Sequence, residues 1–316
     1  MTYKTVLIAG GAGFLGSYLC DYYIEQGANV VCIDNLSSGS MRNVKQLSNQ
    51  RKFVFVKCDI VNSLPKSVTG KKYDLIINMA SPASPPHYQR LALETLQVGS
   101  IGTEHLLQLA LENEARFFQA STSEVYGDPE VHPQPESYKG SVNSYGPRSM
   151  YDESKRYAEA LVYVYRNVYG VDTVIARFFN TYGPRMDPGD GRVVSNFIVQ
   201  ALKDQSLTVY GDGSQTRSFC YVDDLIKGIV ALINSKQEGP MNLGNPGEFT
   251  VSQLANKVLE LTGSRSKISY LPLPGDDPTQ RQPVIAKAKE SLGWQPTIPL
   301  QTGLKKTIEY FKGLEA

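Results

Sequence analysis

The chain has 316 residues, enough to bury a substantial core in one large α/β domain or in two smaller units. Its 32 lysines and arginines nearly balance 31 aspartates and glutamates, for a formal charge of +1. That leaves no basic footprint for nucleic acid or an anionic membrane, and it points to a small-molecule partner. Four cysteines, Cys20, Cys32, Cys58 and Cys220, form no Cys-x-x-Cys pair, which argues against a metal centre or a disulfide framework and fits a reducing compartment.

The first apolar run, VLIA, is too short for a signal core or a membrane span, and no later run reaches spanning length. A soluble, cytoplasmic protein is expected. Residues 6–9 read as a strand ending at Gly10, and LGSYLCDYYIE carries helical spacing. Between them GGAGFLG places Gly10, Gly13 and Gly16 three apart. Such glycines serve a tight strand-to-helix turn, close backbone approach to a pyrophosphate, and close packing of helix on strand. The helix start then offers free amides and a positive dipole end to the phosphates.

NVVCID reads as a second strand ending at Asp34, a position from which a carboxylate accepts hydrogen bonds from an adenosine ribose and repels a 2′-phosphate. The next residue is Asn35 rather than an arginine, so NAD is favoured over NADP. A third strand over 53–57 leads to Asp59 and Ile60, which either edge and cover an adenine ring or, for Asp59, cap the following turn.

DLIINMA, residues 74–80, is apolar throughout, as expected of a strand with helices over both faces, and it runs into the rigid loop SPASPPHY. Residues 91–113 have helical apolar spacing, with Gly99 and Gly102 inviting close approach of the cofactor or of a neighbouring helix. A fifth strand over 115–120 ends in STSEVYG, placing Thr122, Ser123 and Glu124 at the carboxyl edge of the sheet, as an acid/base set or as a Ser/Thr-rich turn. Residues 128–149 form a long Pro, Gly, Ser and Asn-rich loop of the kind tied to function.

The next helix opens with YDESK. Tyr151 and Lys155, four residues apart, share one helix face, so a phenol and an ammonium meet beside a bound ligand. The same spacing occurs in helices where the Tyr merely packs, so the neighbouring motifs decide. A sixth strand over 173–178 completes an alternation of strands and helices that predicts an α/β fold with a doubly wound parallel sheet. Beyond it the pattern weakens. NTYGPRMDPGDGR is turn-rich, VVSNFIVQAL helical, and LTVYGDGSQTRSFCYV a strand, glycine turn and strand; two better-defined helices follow, one capped by Thr250 with Gln253, the other over 300–311.

Together GGAGFLG, Asp34, STSEVYG, YDESK and RFFNTYGPR resemble the extended short-chain dehydrogenase/reductase family that works on nucleotide sugars, over essentially the whole chain. SPASPPHY, TSEVYGDPEVHPQPESY, GPRSMYDESKR, LTVYGDGSQTRSFCYV, NLGNP and DDPTQRQP are most similar to its decarboxylase-like branch. The resemblance implies a Rossmann domain over 1–178 carrying the catalytic residues. Residues 179–316 then bind mainly the sugar nucleotide, with some segments returning to the first domain.

The implied cofactor is NAD, held by Gly10, Gly13, Phe14, Leu15, Gly16, Asp34, Asn35, Ser38, Gly39, Asp59, Ile60 and Ala80 with Tyr151 and Lys155. The implied partner is a UDP-sugar at Pro82, Ser123, Asn180, Arg192, Val193, Arg217 and Arg281, with Arg192 and Arg217 as diphosphate forks. The implied catalytic set is Thr122, Glu124, Tyr151, Lys155 and Arg281, without a metal, in a homodimer joined through helices near 91–113 and 151–169.

The implied reaction is NAD-dependent decarboxylation of UDP-glucuronate to UDP-xylose. Oxidation at C4 makes a β-keto acid; Tyr151 takes the C4 proton, Lys155 steadies the phenolate, Thr122 orients the C4 oxygen, Glu124 assists C5 protonation, and Arg281 stabilises carboxylate and enolate. Four positions depart from the family's usual pattern: Gly99 for Asn, Lys139 for Trp, Ser154 for Gly and Val284 for Asp. Lys139 and Val284 flank the expected substrate loops and leave the exact sugar open. The alternatives are a 4,6-dehydratase, whose pattern has Asp where Ser123 stands, a 4-epimerase, whose pattern lacks a glutamate at 124, and an inactive NAD-binding sensor or scaffold.

Overall fold

The computed structural model describes residues 3–272 and 280–315. Its centre is a seven-stranded sheet built from β1 (Thr5–Ala9), β2 (Asn29–Asp34), β3 (Phe53–Lys57), β4 (Leu75–Asn78), β5 (Arg116–Thr122), β6 (Thr173–Phe178) and β7 (Pro240–Leu243). All pair in parallel, in the order β7-β6-β5-β4-β1-β2-β3.

The apolar runs explain this arrangement. Side chains alternate across a strand, so Val6 and Ile8 enter one core with Val30, Cys32, Phe118 and Val174, while Leu7 and Ala9 enter the core on the other face with Val31, Ile33, Phe117 and Ile175. Both faces are covered, and β4 and β5 are buried along their whole length. The chain runs outward from β1 to β3 and then returns to the far side of β1 at β4, which opens a crevice at the carboxyl ends of β1 and β4.

The helical run expected over 91–113 is in three pieces: α1 (Ala92–Gln97), a π-helical turn (Val98–Gly102) and α2 (Thr103–Asn113). The glycines sit in the π turn. A Cβ at Gly99 would lie 2.7 Å from Ser154 Cβ, and one at Gly102 2.7 Å from Ile60, so the close neighbour of Gly99 is the helix α3 (Ser149–Asn167).

Beyond β6 the structure is richer than the sequence pattern predicts. A helix over Val222–Ile233 follows the strand Cys220–Tyr221 with no glycine or proline between them, so no local signal separates the two. The strand, glycine turn and strand expected over 207–222 do not pair with each other. Leu207–Tyr210 pairs with Ile268–Leu271, Thr216–Ser218 with Glu248–Thr250, and Cys220–Tyr221 with Thr181–Tyr182. β7, four residues long, returns this part of the chain to the main sheet. The expected capping box of Thr250 and Gln253 is present in both directions, at 3.0 and 2.8 Å. Among the described residues no helix is long and apolar enough to cross a membrane, and all four cysteines are free.

Candidate active site

The turn and the helix packing expected of these glycines fall to Gly10 and Gly16. Gly10 has φ +71 and lies against the backbone of Ala80, 2.7 Å from where its Cβ would be, closing β1 onto the end of β4. A Cβ at Gly16 would stand 2.1 Å from the Gly10 carbonyl oxygen, so only glycine permits this helix to sit on this turn. A Cβ at Gly13 meets only Gly10 O, at 3.1 Å, which leaves the face toward the crevice open. No side chain caps the helix Phe14–Glu25, so the amides of Phe14 and Leu15 are left for a ligand.

The crevice is a cavity of about 260 Å³. Gly10, Gly13, Asp34, Asn35, Ser38, Gly39, Asp59, Ile60 and Ala80 all line it, as does Pro82, which the sequence reading places with the sugar nucleotide. Asp34 accepts from Ala12 N at 3.0 Å and Leu36 N at 2.8 Å. Burial pushes its carboxyl up and those two amides oppose the shift. A Cβ at Gly39 would fall 2.8 Å from the same carboxylate. Asp59 caps the following turn, with Oδ1 accepting from Val61 N at 3.0 Å, and it also lines the cavity, where Oδ2 accepts from Asn35 Nδ2 at 2.9 Å. An open glycine turn, uncapped helix amides and a strand-end carboxylate form a donor and acceptor set that fits NAD.

Tyr151 and Lys155 project from one face of α3 into the carboxyl end of β5. Both are buried, and Thr122 lies close enough to the Tyr151 side chain to favour its ionised form. Lys155 Nζ donates to Ala120 O at 3.1 Å and lies 5.8 Å from the Tyr151 ring centroid. Burial lowers the Lys155 pKa to about 8. Burial also raises that of Tyr151, opposed by Thr122 and Arg192.

The Tyr151 ring is stacked on Tyr88, at 4.9 Å and 8°. Next to this stack lies a charged cluster. Glu124 Oε2 accepts from Arg148 Nη2 at 2.7 Å and Arg281 Nη2 at 2.9 Å. Burial pushes the Glu124 carboxyl up, but Arg281 and Arg148, helped by Arg217, hold it down to about 2. A carboxylate so held is an acceptor and a poor proton donor at neutral pH.

Arg281 is 2% exposed, and its Nε and Nη1 have no hydrogen-bond partner among the described residues. Its backbone is fixed by Ser218 Oγ on its carbonyl at 3.1 Å and by the bond of Gln282 N to Gln134 at 2.9 Å. Asp152, one residue after Tyr151, is raised to about 7 by burial and by Glu124, against Arg148 and Arg281.

Of the remaining expected substrate residues, Arg192 is held by Asp190 through two nitrogens, at 2.8 and 2.6 Å, and lies 5.9 Å over the Phe14 ring at the helix start. Arg217 donates to Thr216 O at 2.9 Å and acts on Glu124 through its charge. Ser123 is buried; Asn180 and Val193 are half-buried. Residues 276–279, part of the DDPTQRQP segment, lie outside the described residues.

Two of the four departures meet: Gly99 leaves the space that the Ser154 side chain fills. Val284 is tied by its backbone to Gln134 and Asn242, at 2.9 and 3.1 Å. Lys139 lines a second cavity of about 480 Å³ between α3 and the β6–β7 edge. The sequence reading misses Tyr88, Arg148 and Asp152. The last two stand within YDESK and just before it, but only the fold turns them toward Glu124.

The family model described as GDP-mannose 4,6 dehydratase matches residues 7–307. The chain is 51% identical over 309 residues to UDP-glucuronic acid decarboxylase 1 of Xenopus tropicalis, an alignment covering 98% of this chain and 72% of that protein. Among solved structures it is similar to a UDP-glucose 4-epimerase of Thermotoga maritima with UDP-glucose, at TM-score 0.90 and 30% identity, covering 99% of this chain and 100% of that one. It is also similar to a UDP-glucuronic acid 4-epimerase of Bacillus cereus in complex with UDP-glucuronic acid and NAD, at TM-score 0.88 and 28% identity, covering 98% and 99%.

Proposed function

The chain belongs to the GDP-mannose 4,6-dehydratase family of extended short-chain dehydrogenase/reductases, and from that premise we propose that it is an NAD-dependent UDP-glucuronate decarboxylase forming UDP-xylose and carbon dioxide. The observation that carries the proposal is Arg281. A buried guanidinium with two nitrogens that have no partner among the described residues is costly, and a substrate carboxylate satisfies it with a pair of charged hydrogen bonds. A neutral hexose offers no such group.

The glycine turn, the helix start and Asp34 would hold NAD, which would supply reversible hydride exchange with C4. The chain's own residues do the rest. Thr122 orients the C4 oxygen, and Tyr151 takes its proton, which Thr122 and the charge of Arg192 make easier than burial alone allows. The resulting β-keto acid loses carbon dioxide because the electrons of the C5–C6 bond flow into the C4 carbonyl. Arg281 faces first the carboxylate and then the enolate. Glu124 holds Arg281 and Arg148 in place. Arg192 and Arg217 are assigned to the diphosphate.

We assign 1–178 to the cofactor and 179–316 mainly to the sugar nucleotide. The exposed apolar row Leu93, Leu96, Ile101, Tyr157, Val164 and Val168 is assigned to a homodimer, and the four free cysteines suit the cytoplasm.

The testing experiment is incubation with UDP-glucuronate and NAD⁺, followed by mass spectrometry of the nucleotide sugar. A product lighter by one carbon dioxide is expected. An epimer of unchanged mass, or loss of water from UDP-glucose with UDP-glucuronate untouched, would overturn the reading.

A further inference from the structure

Decarboxylation consumes one proton at C5, and its source must be protonated near neutral pH. Glu124 does not meet that condition, because two guanidiniums hold it ionised. Two other oxygens at the site have unused hydrogen-bonding capacity. Among the described residues, Asp152, 6% exposed, has no partner for Oδ1, and Tyr88, 1% exposed, has none for its hydroxyl. Buried polar atoms in this state are normally satisfied by water or ligand. Both residues belong to the cluster around the reacting centre: Tyr88 stacks flat on Tyr151, and Asp152 is its neighbour on α3.

We propose that Asp152 and Tyr88 deliver the proton to C5. The inference rests on the decarboxylase reading above. As the C5–C6 bond breaks and carbon dioxide leaves, its electron pair forms the C4–C5 enolate. The Tyr88 hydroxyl then gives its proton to C5, the C4 ketone re-forms, and Tyr88 is reprotonated by Asp152 through a bridging water. Asp152 regains its proton from solvent, so one proton is taken up for each carbon dioxide released. Asp152 thus acts through Tyr88.

The environment suits this role. Glu124 and Glu153 oppose ionisation of Asp152, Arg148 and Arg281 favour it, and burial decides, leaving the carboxyl half-protonated at about 7. Tyr88 is pushed above the usual phenol range by burial, so its hydroxyl stays protonated between transfers.

The test compares wild type with Asp152→Asn and Tyr88→Phe, which keeps the ring stack. Carbon dioxide, enzyme-bound NADH and UDP-xylose are followed in the first turnover. Wild type should release carbon dioxide and UDP-xylose in step, with kcat falling above pH about 7. Each variant should release carbon dioxide and build NADH at the normal rate while UDP-xylose lags by about 10²-fold. In Asp152→Asn the alkaline fall near pH 7 should disappear. Without substrate, infrared spectra at pH 6 should show a protonated-carboxyl band that is absent in Asp152→Asn. Should Asp152→Asn not fold, Tyr88→Phe decides the matter. Unchanged product rates, or equal slowing of NADH, carbon dioxide and product, would overturn the proton route. A wild type that releases no carbon dioxide would instead overturn the decarboxylase reading.

Discussion

The crevice beside β1 and the charged cluster beside β5 are both candidate ligand sites at the carboxyl edge of one sheet, yet they are built by opposite means. The crevice is made of backbone: Gly10 and Gly16 set a turn, Gly13 leaves space, and an uncapped helix offers its amides. The cluster is made of side chains brought from distant segments: Tyr88, Glu124, Arg148, Tyr151, Asp152 and Arg281. The first tolerates almost no added atom. In the second, single groups are separable from the fold, and each affects a different step.

The largest effect should come from breaking the backbone site. Gly16→Val places side-chain atoms where even a Cβ stands 2.1 Å from a carbonyl oxygen, so the turn must move. Complete loss of NAD binding by calorimetry is expected, with a stability loss of about 2 kcal/mol or more in urea unfolding. Tyr151→Phe should lower kcat by about 10³-fold with NAD affinity unchanged. Loss of NAD binding in that variant would remove the separation between the two sites.

Arg281→Lys should follow, lowering kcat/KM for UDP-glucuronate by about 10²-fold, because an ammonium cannot pair two oxygens and hold Glu124 at once. A loss confined to thermal stability would contradict its substrate role.

The smallest effect sharpens the contrast within the cluster itself. The Asp152 pKa is raised to about 7 in the fold, so between about pH 4 and 7 the native state binds more protons than the unfolded chain. Stability from this group therefore falls as pH rises through that window, and Asp152→Asn should raise Tm by about 2 °C at pH 8 and leave it nearly unchanged at pH 4. Glu124, held at about 2, has the opposite sign: its contribution is present above its unfolded value and is lost as pH falls toward 2. Scanning calorimetry across pH separates the two.

This difference in construction also decides what was legible in the chain. The glycine turn, Asp34 and the Tyr151–Lys155 pair are local, with spacing set by one turn or one helix, and the strands to Phe178 follow from their alternating cores. Helix Val222–Ile233 and β7 were hidden, the first for want of a break after Tyr221, the second because four residues gain meaning only by pairing with β6. Tyr88, Arg148 and Asp152 carry no periodic signal; their roles arise where α3 meets the SPASPPHY loop. Lys139 lines a second cavity as well, a placement that carries no sequence signal because its neighbours there come from α3 and the β6–β7 edge.

Turnover of UDP-glucuronate in deuterium oxide, with the product examined by proton NMR, tests the central claim most directly. Decarboxylation with return of the same hydride predicts a UDP-pentose carrying one deuterium at C5 and its original hydrogen at C4. Deuterium at C4, or a product that keeps all six sugar carbons, would contradict it.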